Sequence, residues 1–219
     1  MKKRLGLSLA IAALLVAQCT FAADSSNNAT IQFTLDFPHS NPEHYEITVP
    51  SEGVATYTSN GELGSGANPD TTPFQFEISD KTRQELFALA KRANYFSGKL
   101  DSGNTHIANM GSKTLAYKDA SHNTSATYNY SLDPAVNDMT STLQKLSTVL
   151  EYGRRLSWFE KYQKLALEDD LKAMEDRQRQ DNLGDVRAIA PLLKKIAYDQ
   201  SVMRMTRARA LRLLATVGQ

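Results

Sequence analysis

The chain has 219 residues, with 25 Lys and Arg against 24 Asp and Glu, a formal charge of +1 and 41% hydrophobic residues. That size and composition suit a protein that buries most of its apolar surface in one core, or in one core with a helical appendage. The near-neutral balance excludes the strong basic field of a nucleic-acid binder, and a single cysteine, Cys19, excludes an intrachain disulfide.

The chain opens on Lys2, Lys3 and Arg4, followed by the apolar run Leu5 to Ala17 and small or polar residues up to Ala23. This is the pattern of a secretory signal peptide over 1–22, too short to span a bilayer stably. Cleavage after Ala22 places Thr20 and Ala22 in the small-residue positions that a signal peptidase reads. Gln18, bulky and directly before Cys19, argues against a lipoprotein signal. The expected mature chain from Ala23 is periplasmic or extracellular and has no cysteine, which excludes thiolate nucleophiles and zinc-thiolate sites. Without the three leading bases, 22 basic residues face 24 acidic ones, a net of −2. Residues 23–132 carry 7 bases and 12 acids, and residues 133–219 carry 15 and 12, so two physically different halves are expected.

Residues 23–132 read as an antiparallel α+β unit. Ile31, Phe33, Leu35 and Phe37 alternate with polar residues, as do Tyr45, Ile47 and Val49 beyond a Pro-rich loop. The tetrapeptide "PSEG" turns the chain into a third strand, "VATYTS". A loop rich in Gly, Asn and Pro then leads to a fourth, "FQFEIS". Ser79 or Asp80 caps a helix with Leu86, Leu89, Ala90 and Ala93 on one face. A hairpin around "DASH" follows, with Leu115 and Tyr117 on one strand and Ala126, Tyr128 and Tyr130 alternating on the other. The expectation is an antiparallel sheet with a helix on one face.

Residues 133–219 read as helical. Asp133 caps and Pro134 opens a helix whose apolar stripe runs Val136, Met139, Leu143, Leu146, Leu150. The stripe continues raggedly through Leu156, Phe159, Tyr162, Leu165 and Ala166 to Leu171 and Met174. A helix spanning 134–180 would be about 70 Å long at 1.5 Å per residue, so a bend near Gly153 or a protruding arm is expected. In the charged stretch after it, Glu168 has the helical spacing to pair with Lys172.

Two resemblances follow from these residues. The stretch "HYEITVPSEGVATYTSNG", its capped helix and "YFSGKLDSGNTHIANM" resemble the N-terminal part of uncharacterised secreted proteins of soil bacteria, over about Ile31 to Tyr152. The resemblance implies an extracytoplasmic α+β domain and carries no catalytic residues with it. The hairpin segment 183–217, through Leu183, Gly184, Asp185, Arg187, Ala188, Ile189, Pro191, Leu192, Val202, Arg207, Ala208, Ala210 and Leu211, with Gly218 just after it, is similar to a single HEAT-like repeat. That likeness implies a C-terminal αα-hairpin of a kind that serves as a partner-binding scaffold when stacked in arrays.

Catalytic signatures are few. His39 and His44 lie near Glu43 and Glu46, but no histidine pair has the four-residue helical spacing of zinc peptidases. No Gly-x-Ser-x-Gly elbow, phosphate loop or dinucleotide fingerprint is present. No catalytic residue, metal or cofactor is therefore assigned. The densest hot-spot chemistry is Arg154, Arg155, Trp158, Phe159 and Tyr162, since Trp, Tyr and Arg dominate binding energetics; the same aromatics could equally pack inward and leave the arginines solvated. Arg204, Arg207, Arg209 and Arg212 surround an apolar side of Met203, Ala210, Leu213, Leu214 and Val217, which reads as amphipathic packing. The leading expectation is a non-catalytic exported protein that binds a protein partner through its helical half. The competing one is a periplasmic hydrolase or small-molecule binder using a groove between the sheet and the first helix, near His106 or His122. A third is self-association through the stripe from Val136 to Leu150.

Overall fold

The computed structural model describes residues 28–65, 67, 71–104 and 106–218. The expected signal peptide and Cys19 lie outside the described residues. The elements are β1 (Thr30–Asp36), β2 (His44–Pro50), β3 (Ala55–Ser59), β4 (Phe74–Phe76), α1 (Asp80–Arg92), β5 (Ser112–Lys118), β6 (Asn123–Tyr128), α2 (Pro134–Tyr162), α3 (Leu167–Arg179), α4 (Ala190–Tyr198) and α5 (Arg204–Ala215). The six strands form one antiparallel sheet in the order β4-β3-β2-β1-β5-β6. With the C-terminal helices, this is an α+β fold.

Strand alternation decides which face of the sheet is covered. Ile31, Phe33 and Leu35 point inward, and the register sets Phe33 between Ile47 and Leu115, and Ile31 between Val49 and Tyr117. Their neighbours of opposite parity, among them Gln32, Thr34, Thr48, Thr114 and Thr127, lie on the other, wetter face. Ser79 caps α1 by accepting the Thr82 amide at 3.1 Å, and Leu86, Leu89, Ala90 and Ala93 are buried on the sheet.

α2 crosses the same face in strand order. Thr140 meets Tyr128 of β6 at 2.5 Å, Ser147 bonds the hydroxyl of Tyr45 on β2, Glu151 accepts from Tyr57 of β3 at 2.9 Å, and Gly153 abuts Phe74 of β4. Positions 140, 147 and 151 fall on one face of a helix. They are polar residues set into a buried apolar stripe, which comprises Val136, Met139, Leu143, Leu146 and Leu150. That stripe is consumed inside the protomer, so it cannot serve as the expected self-association seam.

The long helix differs from expectation. It runs unbroken through Gly153 and ends at Tyr162; the break comes at Gln163 (φ −145°, ψ 61°), followed by a short 3₁₀ turn over Lys164–Ala166. No arm protrudes. α3 folds back antiparallel to α2, cross-braced by Arg155 to Asp170 at 2.9 Å, Arg177 to Tyr152 at 3.2 Å and Lys145 to Asp181 at 3.4 Å. Folding back is favoured because Leu167, Leu171 and Met174 then leave water. Gly153 serves a different purpose from a hinge: a Cβ there would lie 2.6 Å from Ile189, so its absence lets the C-terminal segment seat against α2.

α4 and α5 pack as a C-terminal αα-hairpin entered through a 3₁₀ turn at Val186–Ile189, which Asp185 caps. α5 lies on α3. Glu168 accepts from Thr206 at 2.8 Å and Arg209 at 2.6 Å, and Glu175 accepts from Arg209 and from Arg212 at 2.7 Å. Glu168 therefore pairs across helices instead of with Lys172, and two of the four terminal arginines are spent on internal packing.

The row of docked tyrosines has a measurable signature. Burial pushes Tyr45 and Tyr128 up to about 12, and burial together with the Glu151 charge holds Tyr57 well above its ordinary value. In the unfolded chain these hydroxyls ionise near 10. Their contribution to stability is thus intact below pH 10 and falls away as the pH climbs from 10 through about 12. Each shift of about two units corresponds to roughly 2–3 kcal/mol. Urea midpoints should drop steeply across that interval, and Tyr45→Phe, which cannot ionise, should show a shallower drop; a flat profile would contradict the docking.

Candidate interaction face on the helical half

Arg154, one of the five residues singled out in the sequence, faces inward and is 6% exposed. Its Nη1 donates to both oxygens of Glu151 at 3.1 and 3.2 Å and to the carbonyl of Gly61 at 3.3 Å. Glu151 also accepts from Tyr57, so a buried carboxylate is held between a phenol and a guanidinium. The loop after β3 closes over this pair because residue 61 is glycine: a Cβ there would lie 2.5 Å from Glu151 Oε2. Helical spacing explains the outcome, since 151 and 154 lie on the turn of α2 that passes β3. Arg154 is therefore part of the interior and is neither solvated nor available to a partner.

Arg155 is committed as well. Its Nε and Nη2 grip Asp170 of α3 at 2.9 and 3.4 Å, and its guanidinium lies 4.6 Å from the centre of the Tyr152 ring. With Phe159, Asn60, Glu62 and Leu63 this pair lines a cleft of about 740 Å³ between α2, α3 and the loop after β3. Trp158 packs edge-on to Phe159 and against Tyr162, both at 5.5 Å between ring centres. Tyr162, by contrast, is 69% exposed. Of the five residues, one is core, two line a cleft, Trp158 is half-buried, and Tyr162 alone stands fully in solvent.

Tyr162 is one of several exposed apolar residues that flank an ionic clamp. At the corner between α2 and α3, Lys164 Nζ donates to Asp199 at 2.5 Å and to Ser201 at 2.6 Å, clamping the corner to the turn between α4 and α5. Lys195 of α4 reaches Glu160 of α2 at 2.7 Å and holds the same junction from the other side. Leu165 follows Lys164 in the chain and Tyr198 precedes Asp199, so both flank the clamp; they are 76% and 71% exposed. Met203, just past the turn, and Met205, in the first turn of α5, are exposed too. Five of the ten large exposed hydrophobics among the described residues are Tyr162, Leu165, Tyr198, Met203 and Met205. Lys161 precedes Tyr162 and Arg204 lies between Met203 and Met205 in the chain, and neither has an ion-pair partner among the described residues.

The sequence reading missed Leu165, Tyr198 and Met203. Its signal was the ragged spacing after Leu156: a stripe that loses its period is where a helix stops burying one face. Leu165 counted there as a continuation of the core, whereas the break at Gln163 turns it outward.

The histidines do not converge. His44 pairs with Asp36 at 2.6 Å at the end of the β1–β2 ladder, while His39 and His106 enter hydrogen bonds through their backbone amides. His122 is stacked on Tyr95 at 4.1 Å, and its Nδ1 lies 3.1 Å from both Asp119 oxygens. Burial raises the Asp119 carboxyl, but the Ser121 amide, the His122 ring and amide and the Tyr117 hydroxyl outweigh it and bring the group to about 2. Among the described residues the His122 ring bonds Asp119 and no serine, unlike the arrangement of a triad. Among the described residues no group of three or more His, Cys, Asp and Glu is placed to hold a metal ion, and no helix is long and apolar enough to cross a membrane. No protein-family model matches the chain, and no curated protein is similar to it.

The Glu151–Arg154 pair should be separable from the surface patch by mutation. Glu151→Gln leaves the guanidinium buried without its counter-charge and should cost about 3–5 kcal/mol. A joint replacement of Glu151 and Arg154 by Met removes both charges and should recover most of that loss. Urea denaturation of the single and double variants decides it, and a single variant as stable as wild type would refute the pairing.

Proposed function

We propose that this protein is a non-catalytic, exported binding module that engages another protein through its helical half. The docking face is the patch around the Lys164–Asp199 clamp, with Tyr162, Leu165 and Tyr198 as anchors. The supporting observation is the exposure of these large apolar side chains beside an ionic clamp that ties Lys164 to Asp199 and Lys195 to Glu160. Aromatic and aliphatic anchors framed by polar residues carry most of the energy in protein interfaces. The rigid setting also favours binding, because a corner clamped by Lys164 has little freedom left to lose.

The bordering charges specify the partner's chemistry. Lys161 and Arg204 are free cations at the rim, so the complementary surface is a protein segment with apolar side chains flanked by carboxylates. Rim charges of this kind act mainly on association rate and selectivity. Arg155, already bound to Asp170, contributes by holding α3 in place.

Photo-crosslinking in cells, with the reactive side chain at position 165 or 198 and a control at Thr34 on the open sheet face, tests this reading. One adduct from 165 and 198 and none from 34 is expected. Its acidic partner, purified and titrated, should lose at least tenfold in affinity to Leu165→Asp, with the thermal midpoint of the variant unchanged. An adduct of twice the chain's mass would identify a second copy as the occupant and overturn the acidic-partner assignment. Equal labelling from all three positions, or none, would overturn the docking face itself.

A further inference from the structure

A second cleft, remote in sequence from the docking face, opens where β5 and β6 meet the N-terminal half of α2. It holds about 530 Å³, the size of a small-molecule site. Its most unusual member is Lys113. Strand parity sends this lysine to the inward face alongside Leu115 and Tyr117, opposite Tyr128 in the register, and it is 5% exposed. Its ammonium donates to the carbonyls of Asn129 at 2.8 Å, Met110 at 3.3 Å and Gly111 at 3.4 Å. These dipoles satisfy its hydrogens but bring no negative charge, and no carboxylate lies within ion-pairing distance among the described residues. Burial accordingly pushes its pKa below the ordinary lysine range. A buried cation without a counter-ion is a costly arrangement in a folded protein.

The rest of the lining has the same sign. Lys145 of α2 faces the cleft, and its own partner, Asp181, is 3.4 Å away and almost wholly in water, where it neutralises little. Among the described residues no Asp or Glu lines the cavity; the remaining polar lining is amides and hydroxyls, among them Gln144, Ser141 and Asn182. At the mouth, Met110 and Tyr130 are large, apolar and exposed. Two cations at the base and flanks, neutral donors between them and an apolar pair at the entrance form a polarised site.

We propose that the cleft between Lys113 and Lys145 binds a small organic anion, a carboxylate or phosphate on a flat apolar body, with the anion toward the lysines and the body against Tyr130 and Met110. The bound anion supplies the counter-charge that the fold withholds from Lys113. This differs from the groove expected between the sheet and the first helix: the wall opposite the sheet is α2, and the histidines take no part. It is also independent of the docking face, which lies at the other end of α2.

Titration of the isotopically labelled full chain followed by backbone-amide NMR tests the proposal, with 1-naphthoate, phenyl phosphate and the neutral 1-naphthamide as probes. At least one anion should shift the amides of Met110, Lys113, Tyr130 and Lys145 saturably at millimolar concentration, and naphthamide should not. Preference for naphthoate or for phenyl phosphate identifies the head group. Lys113→Met should weaken binding about tenfold or more. Because that variant alters a buried site, Lys145→Gln on the more exposed wall provides the second arm and should weaken binding several-fold with the fold intact. Shifts equal for acid and amide, shifts confined to other parts of the surface, or no shift from either anion would overturn the assignment.

Discussion

The passage of α2 across the sheet is the constraint from which the remaining structure follows. An amphipathic helix on a sheet can slide and rotate at modest cost when its contacts are purely apolar, because dispersion and burial are not directional. Here three sheet tyrosines, Tyr128, Tyr45 and Tyr57, each present a buried hydroxyl to a polar residue of the helix, Thr140, Ser147 and Glu151. Leaving any of these unpaired costs more than the bond itself contributes. The helix therefore has one position and one rotation on the sheet.

Much else is a consequence of that single placement. Glu151 under β3 needs a cation, which Arg154 supplies from the next turn, and the loop after β3 closes over the pair at Gly61. Gly153, beneath β4, leaves room for Ile189 and so seats the terminal hairpin. The far end of α2 overruns the sheet, where no strand remains to cover it; α3 turns back to bury Leu167, Leu171 and Met174 in its place. The corner this creates is fastened by Lys164 to Asp199, and the Tyr162, Leu165 and Tyr198 side chains next to the fastening point have nowhere to go but solvent. A docking face at that corner is the by-product of a helix longer than the sheet is wide.

The two halves of α2 thus offer different chemistry. Toward its N-terminus the helix borders a cleft that holds Lys113 and Lys145 together with Met110 and Tyr130; toward its C-terminus it borders exposed apolar side chains beside the Lys164–Asp199 clamp. Between α3 and α5, Arg209 pairs with Glu168 and Arg212 with Glu175. Those pairs are ordinary packing devices and worth little singly. Their effect on function is indirect, since each consumes an arginine that the sequence alone might have assigned to an anionic partner.

Strand alternation, a cap at Ser79 or Asp80, the Asp133 cap and the "DASH" hairpin were all legible in the residues, because each depends on neighbours within a few positions of the chain. The inward parity of Lys113 was legible too, by the alternation that aligns it with Leu115 and Tyr117, although its meaning was not. What only the tertiary structure decided is where long-range surfaces meet: that Arg154 turns inward while Arg155 is spent on Asp170, that the helix breaks at Gln163 instead of Gly153, and that Lys164 finds Asp199. Local periodicity reports which face of an element prefers to leave water; it carries no information about which distant element arrives to cover that face, and burial and exposure at residues 154 to 165 depend entirely on that arrival.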